Sequence, residues 1–285
     1  MKKYYWFFPN VFIGLVLIAF FSNCNRPKTY TSPATYDLGK PEKLTMEPAL
    51  TEISGICFLK GNDEMLFAIE DESGKLYQLQ LANGKLTKSK FGKKGDYEDL
   101  AILNNQTASV MSSEGSLFMF AASEAGKEKI DSVQVYKNIL PAGEYEGLFA
   151  ADSTMYALCK DCPQDKSSKE VSLFALKQSN GKGLSVVNSF KIAVSGIQEG
   201  EEKIKFHPSA FAKNPVTNDW FIVSSTNKVL LQFDEQWKLK AHFNLDPSIF
   251  IQPEGMAFNS KGDLFISNEG GSGAANILIF RYISK

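Results

Sequence analysis

Three glutamates stand at the same place in a recurring pattern: Tyr97-Glu98-Asp99-Leu100, Tyr145-Glu146-Gly147-Leu148 and Pro253-Glu254-Gly255-Met256. Two further copies carry serine there, in Ile53-Ser54-Gly55-Ile56 and Pro208-Ser209-Ala210-Phe211. If the copies are arranged about one axis, three carboxylates and two hydroxyls converge. Like charges raise one another's pKa and loss of water adds to that, so the cluster is costly unless something neutralises it. A hard divalent cation would do so, and calcium accepts several carboxylate and carbonyl oxygens in flexible geometry. Glu98, Glu146 and Glu254 are therefore the candidate calcium ligands. Two other readings stay open: the acids fasten neighbouring copies through backbone amides, or they touch an organic ligand directly.

A second polar set follows the next strand of each copy: Asp71 and Glu72, Glu114, Asp161, Thr226 and Asn227, then Asn268 and Glu269. Singly these are ordinary hairpin turns. Together they make one rim acidic, with Glu72, Glu114, Asp161, Asn268 and Glu269 as candidate ligand-binding residues. Catalytic groups are few. Of the two histidines, His242 lies in a polar strand pattern, and His207 precedes the fourth copy, where it is a candidate general base or simply a structural imidazole. No G-x-S-x-G elbow occurs, nor a nucleophile with a base beside it. Gly270-Gly271-Ser272-Gly273 joins strand to strand without the Gly-Lys-Ser ending of a phosphate loop. Glu199, Glu201, Glu202, Lys203 and Lys205 read as a solvated loop of mixed charge. Cys159 and Cys162 form one C-x-x-C, which leaves a disulfide, free thiols, or a metal or redox site open; a structural zinc would need two more ligands. Cys57 sits in an apolar run and reads as a small buried hydrophobe.

The elements that must position these groups are strands. Each opening segment is followed by a turn and a second strand, at 65–70, 108–113, 154–160, 220–225 and 263–268. A third apolar strand comes next, and a more polar fourth follows in the first four copies. Short β-rich strands separated by Gly, Asn and Asp predict an all-β fold. The anchors at 54, 98, 146, 209 and 254 are 44, 48, 63 and 45 residues apart. A period of about forty to fifty residues is that of β-propeller blades. The step of 63 is too short for two blades, so it predicts loop insertions near 160–169 and 195–205. Five four-stranded blades are expected, six being the alternative. The last copy stops at its third strand, near Tyr282. The N-terminal Thr35-Tyr36-Asp37-Leu38 is expected to supply the fourth and close the ring, sparing the fold an open strand edge.

Residues 1–24 belong to export rather than to the fold. Lys2 and Lys3 precede an apolar run of eleven residues from position 11 to 21, and Ser22-Asn23-Cys24 follows. That run is too short to span a bilayer as a mature helix, and the whole has the layout of a cleaved leader. Phe21-Ser22-Asn23-Cys24 resembles a lipobox, although Asn before the cysteine is unusual there. The expectation is a bacterial lipoprotein with acylated Cys24, a tether over 25–34, one propeller over 35–285, and anchorage in the cell envelope at the outer membrane. With a formal charge of −1, the chain has no long-range field to recruit nucleic acid.

Over roughly 35–283 the chain resembles the SdiA-regulated β-propeller family, itself related to phytase-like propellers. The resemblance rests on the five openings in their order and spacing, on Glu70-Asp71-Glu72-Ser73-Gly74-Lys75-Leu76-Tyr77, and on Gln252-Pro253-Glu254-Gly255-Met256 with Ser267-Asn268-Glu269. It implies a propeller, an envelope location and a calcium site, and no settled activity. The expected function is a monomeric binding module that takes a small molecule or a protein at the channel mouth. The alternative is a calcium-dependent hydrolase, either a phosphoesterase or a lactonase. A phosphoesterase needs cations around its phosphate. Beyond the leader the only arginines are Arg26 and Arg281, and only Lys160 and Lys228 are placed to serve at the mouth.

Overall fold

The structure is a computed structural model of the 285-residue chain. It describes residues 1–3, 29–165, 169–179, 183–195 and 205–284. Cys24, the leader over 4–24 and the loop carrying Glu199, Glu201, Glu202 and Lys203 lie outside the described residues.

Five antiparallel four-stranded sheets form a five-bladed propeller. An N-terminal strand, β1 (Glu42–Thr45), precedes the first blade. That blade is β2 (Ile53–Leu59), β3 (Asn62–Glu70), β4 (Lys75–Gln80) and β5 (Lys85–Lys90). The second is β6 (Tyr97–Leu103), β7 (Thr107–Ser112), β8 (Leu117–Ala121) and β9 (Gln134–Tyr136). The third is β10 (Glu144–Ala151), β11 (Thr154–Asp161), β12 (Glu170–Gln178) and β13 (Leu184–Ala193). The fourth is β14 (Ala210–Lys213), β15 (Trp220–Ser224), β16 (Val229–Phe233) and β17 (Leu239–Asn244). The fifth is β18 (Pro253–Phe258), β19 (Leu264–Asn268) and β20 (Asn276–Phe280), completed by β1 in the order β1-β20-β19-β18. The 63-residue step therefore holds one blade, with its extra length in the connections on either side of β12 and β13.

Burial explains the sequence pattern. Every residue of β15, β19 and β20 is buried, because a middle strand is covered on both faces by neighbouring blades and so reads as a continuous apolar run. The outermost β5 exposes Lys85, Lys88 and Lys90. The core is divided into five clusters, each joining two successive blades. One packs Phe67 and Ile69 of blade one against Leu100, Val110 and Phe120 of blade two. The last pair in the circle is joined by Ile56 and Leu66 with Phe265 and Ile277. Ring closure is thus a matter of side-chain packing as much as of backbone pairing.

An N-terminal strand does close the ring, but it is not 35–38. Glu42 pairs with Ile279 and Thr45 with Asn276, whereas 34–35 and 38–39 are turn. Tyr36 and Leu38 are buried in the cluster between blades four and five. The Tyr36 hydroxyl donates to Gly262 O at 2.6 Å and accepts from Asn214 Nδ2 at 2.6 Å. Alternating apolar residues serve a plug as well as a strand, so the alternation of Tyr36 and Leu38 misleads. The true outermost strand is exposed and carries no apolar signature. It is held by Arg281, which makes bonds of 2.8 and 2.6 Å to the two Glu42 carboxylate oxygens and one of 3.0 Å to Asp263.

Candidate functional site

The innermost strands β2, β6, β10, β14 and β18 are edge strands of their sheets and ring the axis. Glu98, Glu146 and Glu254 lie at the same end of this channel, each in a local irregularity of the ladder. Tyr97 opposes Ser112 and Asp99 opposes Met111, so Glu98 is an extra residue on its strand. Glu146 sits likewise between the pairs Tyr145 with Cys159 and Gly147 with Leu158, and Glu254 between Pro253 with Asn268 and Gly255 with Ser267. These are β-bulges, which re-aim a side chain out of the pleat. The repeat is thus built to turn one carboxylate per bulge toward the axis.

The three carboxylates are electrostatically joined. Burial, then Glu146 and Asp96, push the Glu98 carboxyl up to about 9. Glu98 is accordingly a neutral acid at pH 7, and it shares a hydrogen bond with Glu146. Burial also lifts Glu146, to about 7, although Lys160 donates to it at 2.5 Å. Glu254 is raised by burial despite hydrogen bonds from the Ser225 and Ser209 hydroxyls. Glu269, raised to about 7 by burial and by Glu254, borders the same cluster. Lys160 is the counter-charge: burial opposes its protonation, but Glu146, Glu98 and Glu254 together hold its pKa above the ordinary value.

Fastening between blades falls to neighbours of these residues instead. Asp99, 3% exposed, takes the position that glycine holds in blades one, three and five. Its carboxyl accepts from its own blade at Leu100 N, 2.8 Å, and from blade three at Leu148 N, 2.6 Å. In the fifth blade Ser267 Oγ donates to Ser54 O of blade one at 2.7 Å. Glycine is required where the inner strands crowd: a Cβ on Gly255 would collide with Ser54 O, and one on Gly55 with the Asp99 carboxylate. The two equivalent serines differ in partner: Ser54 Oγ donates to Glu52 O at 3.5 Å, whereas Ser209 bonds the Glu254 carboxyl. Asp99 was legible only as a residue breaking the Glu-Gly pattern.

The second set divides. Glu269 joins the cluster and accepts from Gln252 Nε2 at 2.8 Å. Asp161 pairs with Lys205 at 2.5 Å, and that lysine holds its carboxyl below the usual range. Glu72 is exposed and pairs with Lys94 at 3.4 Å. The inward member of that turn is Asp71, raised to about 6 by burial and by Glu52, Glu70 and Glu72. Glu114 is exposed, accepts from Ser116 Oγ at 2.9 Å, and lines a separate hollow with Asp96 and Glu144. Asn268 is fully buried, its Nδ2 donating to Ile249 O and Asn276 Oδ1. His207 is half-buried among Lys205, Asp161, Lys160 and Glu144, with burial and Lys205 lowering its pKa, so the imidazole is neutral at pH 7. Its Nδ1 is buried without a hydrogen-bond partner.

Cys159 and Cys162 form a disulfide. The pair encloses Lys160 and Asp161, so the cross-link fixes the short segment from which Lys160 reaches Glu146. Cys57, by contrast, is free and half-buried. Among the described residues, three ligand atoms of His, Cys, Asp or Glu come within 4.8 Å of one another only at Cys159, Cys162 and Asp165. There both sulfurs are spent in the disulfide, and Asp165 accepts from Ser172 N at 3.0 Å and Oγ at 2.6 Å. At the channel, the donor set of carboxylates and hydroxyls suits a hard cation in kind. The carboxylate oxygens of Glu98, Glu146 and Glu254 do not all lie within 4.8 Å of one another, and Lys160 stands beside them as counter-charge.

No family model matches the chain, and no curated protein matches it. Solved structures do. An aldose sugar dehydrogenase from Streptomyces coelicolor, in its PQQ-bound form, is 12% identical with a TM-score of 0.53, over 86% of this chain and 99% of that one. A luciferin-regenerating enzyme is 8% identical with a TM-score of 0.52, over 85% and 95%. A streptogramin B lyase is 7% identical with a TM-score of 0.48, over 86% and 98%. At such identities the likeness is one of fold: this chain is a β-propeller.

Proposed function

We propose that this propeller is a binding module whose acidic channel mouth takes a cation, calcium being the one its oxygen donors suit. Glu98, Glu146 and Glu254 would hold the ion, with Glu269 beside them. Bound there, calcium would supply positive charge to which a small molecule or a partner protein could attach at the mouth. The observation that carries the reading is the set of three bulges, each turning a carboxylate onto the axis although their convergence costs stability. Structural economy alone favours the uncharged version of the bulge seen in blade one, where Ser54 stands in place of the glutamate. Sites where burial and like charges perturb ionisation are where function concentrates. A membrane anchor on acylated Cys24 and membership of the SdiA-regulated family belong to the same reading, supported by the leader pattern and by the five openings.

Calorimetric titration of calcium into chelator-stripped protein at pH 7.5 tests it. One saturable site, weakened at least tenfold by Glu146→Gln, supports the reading. Absence of binding up to millimolar calcium would leave the cluster as a fastener built around Lys160. For the anchor, Cys24→Ala should move the protein from the membrane fraction to the soluble one. A mature chain that starts elsewhere and is soluble sinks that part alone.

A further inference from the structure

The channel has a second chamber at the end away from the glutamates. Two residues along each inner strand from the acid ring stand Ile56, Leu100, Leu148, Phe211 and Met256, none more than 4% exposed. Two residues of strand advance about 7 Å, so these side chains form a layer directly beneath the carboxylates. They line a cavity of about 580 Å3. The next layer of its wall is Cys57, Ala101, Phe149, Ala212 and Ala257. Four of those five are small or half-withdrawn, which is why space remains. Phe58, Ile102 and Phe258 follow toward the opening, where exposed Asn104 and Asp152 stand at the rim.

Neither of the first two layers contains a charged side chain. Two cations lie in the wall beyond them: Lys60 is exposed at the rim, and Lys213 is drawn aside, its Nζ bonding Glu235 at 3.2 Å and lying 5.6 Å from the Trp220 ring centroid. The inner strands are sheet edges, so their backbone N–H and C=O groups on the axis side have no strand partner. The chamber thus combines apolar side chains with a limited number of fixed donors and acceptors, at a volume typical of small-molecule sites. The acid ring at the far end is separated from it by the apolar layer, so a ligand here need not be charged and need not meet the cation.

We infer that this chamber is a binding site for an uncharged, predominantly apolar small molecule, one that carries a ring and a few hydrogen-bonding groups. It is independent of the cation proposed for the mouth, and its test is run in chelator so that the two stand or fall separately. The probe is the neutral naphthalene ketone 6-propionyl-2-(dimethylamino)naphthalene, read by its emission. The expected result is saturable one-to-one binding with a blue shift. Saturating probe should slow alkylation of Cys57 by N-ethylmaleimide at least fivefold, read on the Cys57 peptide. Ala150→Trp, which adds bulk to a half-buried wall position, should weaken binding at least tenfold while the melting temperature stays within a few degrees. No saturable binding overturns the inference. So does binding that leaves Cys57 unprotected, which places the probe elsewhere; that readout needs no mutation and decides the matter even if Ala150→Trp fails to fold.

Discussion

The two ends of the channel are made by the same five strands and obey different physics. At one end the ladder bulges and turns Glu98, Glu146 and Glu254 onto the axis, where their charge is relieved by Lys160 and by protonation of Glu98. Below the bulges the strands present Ile56, Leu100, Leu148, Phe211 and Met256. The difference arises from one extra residue in each of the three strands that carry a glutamate. It teaches that a repeat can separate stability from ionic chemistry along its own length: packing is concentrated below the bulge, and the costly charges above it.

That contrast predicts opposite responses to mutation. The largest effect belongs to the apolar layer. Phe211→Ala removes a ring packed against Phe149 and Trp220 and should cost about 3–5 kcal/mol, equally at pH 5 and pH 8.5, by denaturant unfolding. A strong pH dependence of that loss would break the division between the ends. Asp99→Ala comes next. It strips the partner from the buried Leu148 N–H and should cost about 1–3 kcal/mol; a neutral outcome would mean that the blades are not fastened there.

At the acid end substitutions should help or hurt according to pH. The folded-state pKa of Glu98 is about 9, above its unfolded value of about 4.3. Folding therefore favours its protonated form, and the stability this group contributes is full below the unfolded value and lost as pH rises toward 9. Glu98→Gln should match the unmutated chain at pH 4 and exceed it by on the order of 1–2 kcal/mol at pH 8.5, measured in chelator. Equal slopes of stability against pH in the two proteins would contradict the buried-acid account. The smallest effect is that of Lys160→Gln. Its ammonium is partly solvated, so the loss should be about 1 kcal/mol or less and confined to pH above 7, where Glu146 is ionised. Reduction of the Cys159–Cys162 bond should mimic it in direction, by loosening the segment that aims Lys160.

The blade architecture was legible in the sequence because the openings repeat with their strands at near-constant spacing, and the repeat also identified the three glutamates as equivalent. What the sequence hid was local. A bulge leaves no composition of its own, since the extra residue is the glutamate itself. Asp99 fills a glycine slot and reads as one more acid of the ring, when it is a buried fastener. The turn at 71–72 offered two acids, and the one chosen, Glu72, points to Lys94, because Glu70 accepts from the turn's N–H groups at Glu72 and Ser73 and rolls Asp71 inward. The closing strand went unseen at Glu42–Thr45 because an outermost edge buries too little to impose alternation. The apolar chamber was invisible for the opposite reason: its lining residues are indistinguishable, in sequence, from core.

The central claim is that the costly end of the channel exists to hold a cation, and thermal unfolding with and without calcium tests it most directly. An ion that binds only the folded state at a hundred times its Kd adds about 2.7 kcal/mol, which for a domain of this size raises the melting temperature by several degrees. The account predicts that rise at pH 7.5 for the unmutated chain, its reversal by chelator, and its loss in Glu254→Gln, whose chelator-treated stability should equal or exceed that of the unmutated protein. An unchanged melting temperature in calcium, together with destabilisation by Glu254→Gln whether or not the metal is present, would contradict it.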